Sequence, residues 1–502
     1  MKILGFYLGG HDSNVSLVQD NGNVLYYKAE RIKQHKHKHA DLQWVKQVCE
    51  ENDFKPDIIC FSDGNRNGLG ICDKDKLFQK TSTIPGLFDV ETYIIDHHYA
   101  HILSGWIIEK KPCKYGISID GRGDNNIKCT ILKYPFNLNK VKIIYKNVER
   151  SYCLLFNQIG KYMNLDGGEL DYAGKIMGLH AYGTVDSSYV EKHLNEQYAR
   201  NPMQLLEEGF RGYKISELFK KNRSDFIDWL ASIHTLLQNY IVNMFECYIP
   251  KNEEIIYSGG CAQNTVYNTT LQELYPGLRI PPHCYDGGIS LGCIKFIAMK
   301  KELILHIQEF PFCQQTQDLG YADLDTIRQV AKLLSEGKIV GWCQGKGEVG
   351  PRALGHRSLL MNPSNKNAKT ILNDRVKKRE SWRPYAASIR IENISKITDV
   401  NYDCPYMLHA LKVKQEYYKM FKSVVHTDGT CRFQTVSKEM PLQTYYDLLT
   451  EFELLTGTLG ILNTSLNLGG KPIVSGREEI LNLFNMMDID AMCIGNELWI
   501  KK

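Results

Sequence analysis

The stretch Ile94–Gly105, IIDHHYAHILSG, places three histidines in five consecutive positions. His97 and His101 are four residues apart, so on a helix both imidazoles leave one side and can share one metal ion. His98 points elsewhere on such a helix and is not read as a third ligand. A neutral imidazole pair suits zinc, iron or another transition metal, with carboxylates completing the shell. Alone the spacing is a weak signal, because histidines so placed are more often surface or capping residues. Asp120 and Asp286 strengthen it. Each follows a strand-like run in a glycine turn (DGRGD, DGGISLG), where a carboxylate is available to a ligand.

A second group lies in GKGEVGPRALGHRSLL, Gly345–Leu360, which sets Lys346, Arg352 and Arg357 among four glycines and one proline. Glycines bare backbone amides, and the guanidinium fork matches phosphate or carboxylate bidentately. Farther on, NDRVKKRESWRPYAASI adds Arg375, Lys377, Lys378, Arg379 and Arg383. Lys377 and Lys378 read as a solvated basic helix face. Arg383 precedes Pro384 and an apolar run, so its position reads as fixed. The whole block favours an anionic small molecule.

The elements that must position these residues are legible in outline. KILGFYLG runs into the turn GGHDSN and returns as VSLVQ, and Asn21-Gly22 turns the chain again into NVLYYKAE. A related strand–turn–strand recurs in YGISIDGRGDNNIKCTIL, Tyr115–Leu132. Two such hairpins suggest a duplicated fold whose turns face one cleft, the layout of the actin-like ATPase superfamily, where amides in paired turns hold phosphates. The segment Arg223–Cys247 has helical apolar spacing and reads as a buried helix. In EEIIYSGGCAQNTVYN, Gly259-Gly260 separates a strand from a helix expected to begin near Ala262, a place where a nucleotide can approach the backbone. The pattern breaks around Lys300–Gln317, which sets a domain boundary. A second domain then opens with a helix at Leu324 and the strand GKIVGWCQG, and ends in GILNTSL and AMCIGNELWI.

Length and composition bound the rest. A chain of 502 residues implies two to four domains of ~100–200 residues each. Its 43% hydrophobic and 24% charged content is that of a soluble globular protein. No apolar run approaches the ~20 residues that span a bilayer. His11 and Asp12 interrupt the N-terminal run too early for a signal peptide, so it reads as the first strand of a cytoplasmic protein. The 15 cysteines are odd in number, scattered and free of C-x-x-C pairs, which favours reduced thiols over disulfides or a zinc ribbon. The net charge of +4 neither demands nor excludes a polyanionic partner.

At this level of detail the sequence resembles a family. GPRALGHRSLL, KKRESWRPYAASI, HTDGTCRFQTV and LNTSLNLGGKPIV are similar to signatures of the nodulation-factor and antibiotic (aminoglycoside, cephem) O-carbamoyltransferases. In the first half, ILGFYLGGHDSNVSL, HHYAH, DGRGD, AGKIMGLHAYG, SGGCAQN and DGGISLG match that family in order, so the resemblance covers nearly the whole chain.

The resemblance implies an α/β protein (α+β in its second domain): a duplicated actin-like domain, 1–305, a linker, 306–322, and a YrdC-like twisted-sheet domain, 323–502. It implies two steps. Carbamoyl phosphate and ATP (with Mg2+) give carbamoyl adenylate and pyrophosphate in the second domain. The first domain then passes the carbamoyl group to an acceptor hydroxyl and releases AMP. By the same resemblance His97, His101, Asp120 and Asp286 hold one divalent metal, iron(II) being expected. Gly259, Gly260 and Asn264 line the nucleotide, with Gly121 and Gly123 beside its phosphate. His11 is the general base, and Lys175 reaches phosphate or caps a helix. Lys346, Arg352, Arg357 and Arg383 grip carbamoyl phosphate and ATP, with Asn463, Thr464 and Ser465 offering hydrogen bonds nearby.

The departures are AERIKQHKHKHADL, where His35, His37 and His39 alternate in what is expected to be a solvated lid, and LDGGELDYAGK and KGEVG, which put Lys346 and Glu348 in doubt. The expected acceptor is a sugar, antibiotic or other natural product. A hydroxymethylated base such as 5-hydroxymethylcytosine in DNA is the alternative acceptor, and no membrane partner is expected. A homodimer is left open. An actin-like nucleotide-switched binding protein or kinase is the rival from another class, and it has no use for the arginine-rich second domain.

Overall fold

In the computed structural model, which describes residues 1–64, 67–148, 152–194, 202–439 and 441–501, the chain divides into two units. Met1–Gly22 and His39–Leu305 make the first, and Asn23–Lys38 and His306–Lys502 the second.

The first unit carries two mixed sheets built on one plan. The strand Ile3–Tyr7 pairs antiparallel with Asn14–Val18 and parallel with Ile58–Ser62, which in turn runs parallel to Glu91–Ile95. Likewise Tyr115–Ile119 pairs antiparallel with Cys129–Lys133 and parallel with Ile255–Ser258, which runs parallel to Leu278–Arg279. The repeat suggested by the two hairpins is therefore present in the topology. All five residues of Ile3–Tyr7 and of Tyr115–Ile119 are buried, as expected of central strands covered on both faces.

Two helices pack on these sheets. Ile289–Lys300 packs on Ile3–Tyr7 and its neighbours, His97–Ser104 packs on Tyr115–Ile119, and the two helices pack on each other. Their backbones are close because Gly292 has no side chain, and a Cβ there would overlap the Ala100 carbonyl. The apolar segment beginning at Arg223 forms one helix, Arg223–Tyr248, with Phe226, Trp229, Leu230, Ile233 and Leu237 among its buried residues.

In the second unit eight strands form one mixed sheet. Its centre is Ala386–Arg390, Gly460–Ser465, Arg357–Met361 and Val340–Cys343. The helix Leu324–Ser335 buries Ile327, Val330, Ala331 and Leu334, the i, i+3, i+4, i+7 stripe, and pairs with Gln443–Thr456 over one face. Asp323 caps its first turn by accepting from the Thr326 amide at 2.9 Å.

Three expectations change here. Residues 306–322, expected as a linker, are part of the second unit, where Val24 N donates to His306 O at 2.9 Å and Gln315 N to Tyr26 O at 2.8 Å. The segment expected as a solvated lid is anchored in the same unit. Lys28, Glu30 and Arg31 are buried, Lys28 stands 2.8 Å from Glu30, and Arg31 Nη2 donates to Gly350 O at 2.9 Å. His35 and His37 follow a short helix, Ala29–Lys33, and not a strand, so the histidines share no strand face. Lys377, read as solvated, is 4% exposed. No helix among the described residues is long and apolar enough to cross a membrane.

Burial also sets an acid limit. His283, His356 and His409 are each driven down to about 4 by burial, against ~6.5 in an unfolded chain. Above that value both states are neutral there. As pH falls from 6.5 toward 4 the unfolded chain takes up protons that the folded chain refuses, so stability falls, by ~2 kcal/mol per histidine at pH 5. Urea unfolding at pH 7 and pH 5 is expected to show this loss, with His409→Gln blunting it. Equal stability at the two pH values would contradict it.

Candidate functional site

The residues that converge in the first unit stand beyond the carboxyl ends of its parallel strands, where open α/β sheets place ligands. His97 opens the helix that follows Glu91–Ile95, Asp120 follows Tyr115–Ile119, and Asp286 precedes Ile289–Lys300. Helix initiation is secured by Asp96, whose carboxylate accepts from the Tyr99 amide at 2.9 Å, while Asp124 accepts from the His97 amide at 3.2 Å. With the first turn fixed, the i, i+4 spacing brings both imidazoles to one place. His101 Nε2 lies 3.0 Å from Asp120 Oδ2 and 3.2 Å from Asp286 Oδ1. His97 Nε2 lies 3.8 and 3.6 Å from the same two oxygens. One ligand atom from each of the four residues lies within 4.8 Å of the others.

This set fits a metal. His97 Nε2 is buried without a hydrogen-bond partner, a condition that needs an explanation such as an ion. Two imidazoles and two carboxylates are also the donors a divalent transition metal takes. The carboxylates are held in turn. Tyr7 Oη donates to Asp286 Oδ2 at 2.5 Å, and the amides of Gly121 and Gly260 donate to Asp120 at 2.5 and 3.2 Å. Asn14 Nδ2 ties Asp12 O and Asp286 O at 2.7 and 2.9 Å. Burial favours neutral forms, but the ion pairs override it. Against the pull of burial, Asp120 and Asp286 lift His101 to about 9, while His101 and His97 hold Asp120 well below the carboxylate range. His98 turns to Thr130 Oγ1 at 2.9 Å, and burial with the neighbouring His97 keeps it neutral.

His11 reaches the same place from the first hairpin turn. Its Nδ1 is 2.9 Å from Asp12 Oδ2 and its Nε2 3.7 Å from Asp286 Oδ2. Burial lowers its pKa, but Asp286 and Asp12 raise it to about 9. It is therefore protonated at neutral pH, and general-base work requires the carboxylate charge to be taken up by a cation.

The other residues expected at a nucleotide have mixed positions. Gly259 adopts φ 90°, and a Cβ there would overlap the Ile119 carbonyl. This glycine lets the ends of two parallel strands meet. The helix beyond starts at Thr265 and not near Ala262, because Asn264 caps it, accepting from Val266 N and Tyr267 N at 3.1 and 3.3 Å. Its amide nitrogen is 3.1 Å from His234 Nε2, so the Asn264 side chain is committed to structure. Gly123 N donates to Ile127 O at 2.7 Å within its turn. Lys175 Nζ donates to Asp166 O at 2.5 Å.

In the second unit the arginines separate into two kinds. Arg357 is fully buried and spends its guanidinium on backbone carbonyls, including Gln344 at 2.6 Å, Gly345 at 3.0 Å and Ser475 at 3.2 Å. It holds the 345–357 loop and does not grip a ligand. Glu348 does the complementary work, accepting the amides of Leu354, His356 and Arg357 at 3.0 Å each. Asn463 is likewise internal, donating to Ala353 O, Ser388 Oγ and Gln434 Oε1 at 3.2, 3.0 and 3.3 Å. Ser465 Oγ donates to Asn467 Oδ1 at 2.6 Å. Thr464 stands half-buried beside it, and the half-buried Lys346 offers its carbonyl to His356 Nδ1 at 2.8 Å.

The second kind is a cluster. Burial, with Arg352, Arg379 and Arg383 nearby, pushes Arg432 well below the guanidinium range, and its Nε has no hydrogen-bond partner. Burial with Arg379 and Arg383 lowers Lys377 likewise, while its ammonium donates to Ser465 O and Asn467 O at 2.5 and 2.9 Å. Glu380 stands 3.5 Å from Arg383. Sequence reasoning gave Arg432 no role. The signal was a lone arginine inside the strand Thr430–Val436, where TCRFQ alternates polar and apolar residues.

Comparison with known proteins adds the following. Residues 74–294 match the family model Carbamoyltransferase N-terminus, and residues 331–502 match Carbamoyltransferase C-terminus. Nodulation protein NolNO of Sinorhizobium fredii (strain NBRC 101917 / NGR234) is 27% identical over 81% of this chain, which covers 64% of that protein, less than two thirds of its length. The 3'-hydroxymethylcephem-O-carbamoyltransferase of Amycolatopsis lactamdurans is 24% identical over 98% of both chains. Among solved structures, HypF of T. kodakarensis aligns with 60% of this chain and 48% of its own at 13% identity and TM-score 0.34, too low to carry an argument.

Two outcomes follow from this geometry. His97→Ala is expected to abolish stoichiometric metal after equilibration with iron(II) or zinc, read by plasma mass spectrometry, and unchanged metal content would refute the ligand set. Glu348→Ala strands three buried amides, each costing ~1–3 kcal/mol. Its unfolding free energy is expected to drop by ~3 kcal/mol or more, and a loss under ~1 kcal/mol would mean that the carboxylate does not hold the loop.

Proposed function

The chain belongs to the carbamoyltransferase family, and from that premise we propose that it is an ATP-dependent O-carbamoyltransferase that works through carbamoyl adenylate. What supports this reading is that the chemistry needs two differently charged sites and each unit contains one. The second unit concentrates Lys377, Arg352, Arg379, Arg383 and Arg432, a surplus of positive charge suited to carbamoyl phosphate and the phosphates of ATP with Mg2+. The first holds the four-residue donor set.

In the first step one water and carbamoyl phosphate give carbamate and orthophosphate. A carbamate oxygen then attacks the α-phosphorus of ATP, and pyrophosphate leaves. Arg432, Arg352 and Arg383 bind and orient the anions, while Lys377, whose ammonium is taken by the Ser465 and Asn467 carbonyls and the Asn467 side-chain oxygen, holds the adjoining loop in place. On the reading that the second unit is YrdC-like, its twisted sheet is the rigid support for this cluster.

In the second step the acceptor oxygen attacks the carbamoyl carbon and AMP leaves. His97, His101, Asp120 and Asp286 would hold a divalent metal, with iron(II) the leading candidate, and such a metal supplies Lewis acidity and charge neutralisation when bound. The rest of the step is carried by this chain. His11 Nε2 takes the hydroxyl proton once the Asp286 charge is shared. Tyr7 and Asn14 keep Asp286 in place, and the Gly121 and Gly260 amides keep Asp120 in place. A small-molecule hydroxyl, as in the cephem relative, is the acceptor class proposed here.

The test is product analysis. Incubation with ATP and labelled carbamoyl phosphate is expected to release pyrophosphate only when both are present, and AMP with labelled product when a hydroxylated acceptor is added. Arg432→Ala is expected to lower pyrophosphate release ~10–100-fold, whereas His97→Ala spares it and stops transfer. ADP formation independent of carbamoyl phosphate would mark a kinase-like protein and overturn the reading. Transfer only to hydroxymethylcytosine DNA would reassign the acceptor.

A further inference from the structure

The turn that carries Asp120 also carries a buried cation with little to balance it. Lys128 closes the turn DGRGDNNIK and is 4% exposed. Its backbone forms the base of the turn, with the Asp120 amide donating to Lys128 O at 2.9 Å and the Lys128 amide donating to Asn147 O at 2.6 Å. Its ammonium donates to a neutral partner, Asn126 Oδ1, at 2.6 Å. The carboxylate that attracts it, Asp120, is already committed to His101, His97 and the amides of Gly121 and Gly260. Arg122, exposed in the same turn, adds a second positive charge and disfavours the ammonium further.

Burying an ammonium is costly unless an anion shares the site. Backbone pairing at this position needs no lysine, since any strand-forming residue would supply the same amide and carbonyl. Asp96 and Asp124 do not discharge it either. The first is 3.4 Å from Lys146, and the second accepts from the His97 amide. Lys128 is paired through its backbone opposite the donor Asp120, so its ammonium is a cation available to a charge that arrives with a ligand.

We propose that Lys128, with Arg122, is the phosphate-holding pair of the first unit, taking a nonbridging oxygen of a nucleoside 5'-monophosphate group beside His97, His101, Asp120 and Asp286. The assignment rests on the reading of the first unit as an adenylate-consuming site and makes it more specific. It accounts for a lysine paired opposite Asp120 in this hairpin, and it gives the leaving AMP a counter-charge that does not belong to the metal ligands.

The probes are AMP and adenosine, which differ by the phosphate alone, titrated calorimetrically into the full-length, metal-supplemented chain. The wild type is expected to bind AMP more tightly than adenosine. Lys128→Met is expected to weaken AMP about 10–100-fold and leave adenosine within about twofold, with metal content and melting temperature unchanged. Lys128→Arg is expected to restore most of the AMP affinity. Equal weakening of both probes, unchanged AMP binding in Lys128→Met, or a wild type with no preference for AMP would each overturn the assignment. Failure of carbamoyl-phosphate-dependent pyrophosphate release would overturn the broader reading separately, because the AMP preference needs no turnover.

Discussion

The first unit depends on one constraint: two imidazoles and two carboxylates have to meet in a buried space, His101 Nε2 at 3.0 Å from Asp120 and 3.2 Å from Asp286. Each of the four comes from a different place in the duplicated plan, apart from the histidine pair, which shares a helix. Meeting requires that the helix start at His97 and not a residue later, which the Asp96 cap ensures. It also requires the two central helices to lie close, which Gly292 permits, and the ends of two parallel strands to touch, which Gly259 permits. Tyr7 and two glycine amides then fix the carboxylates, and Asn14 fixes the Asp286 backbone, so that the donors are preorganised. Preorganised charge is worth more to catalysis than charge that must reorient during reaction.

The second unit solves the opposite electrostatic problem. Its loop 345–357 is a self-satisfied lattice, with Arg357 giving its protons to carbonyls and Glu348 receiving three amides. That lattice is neutralised internally, and an arginine so used is unavailable to substrate. The neighbouring cluster carries more positive than negative charge, with Glu380 3.5 Å from Arg383. Burial first, and then the neighbouring guanidinium groups, lower the proton affinity of Arg432, Lys377 and Arg379, a perturbation of the kind that functional sites concentrate.

How much of this was legible in the sequence follows from period and chemistry. His97 and His101 were legible because 3.6-residue periodicity fixes an i, i+4 pair to one face, and Asp120 because a glycine turn marks the end of Tyr115–Ile119; Asp286 follows no strand directly and opens a short turn before the helix Ile289–Lys300. The duplication was legible from two similar hairpins. Arg357 and Arg352 carry the same side chain in one glycine-rich loop, and sequence has no means of saying which guanidinium turns inward to carbonyls. Asn264 offers the same ambiguity, since a helix cap and a ligand contact use the same amide oxygen. Lys377 was misread because a K-K-R run suggests solvent, while a lysine can be buried when carbonyls surround its ammonium. Arg432 and Lys128 were overlooked because each is a single charge in an apolar or turn context, and only long-range pairing reveals their neighbours.

The central claim is that His97, His101, Asp120 and Asp286 form one metal-holding centre on which the anionic donor is positioned. The direct measurement is anomalous diffraction from crystals of the full chain soaked with iron(II) and AMP under reducing conditions. A single anomalous peak within bonding distance of His97 Nε2, His101 Nε2, Asp120 and Asp286, with the AMP phosphate beside Lys128, is the predicted result. A peak at other residues, or none at full iron saturation, would contradict it.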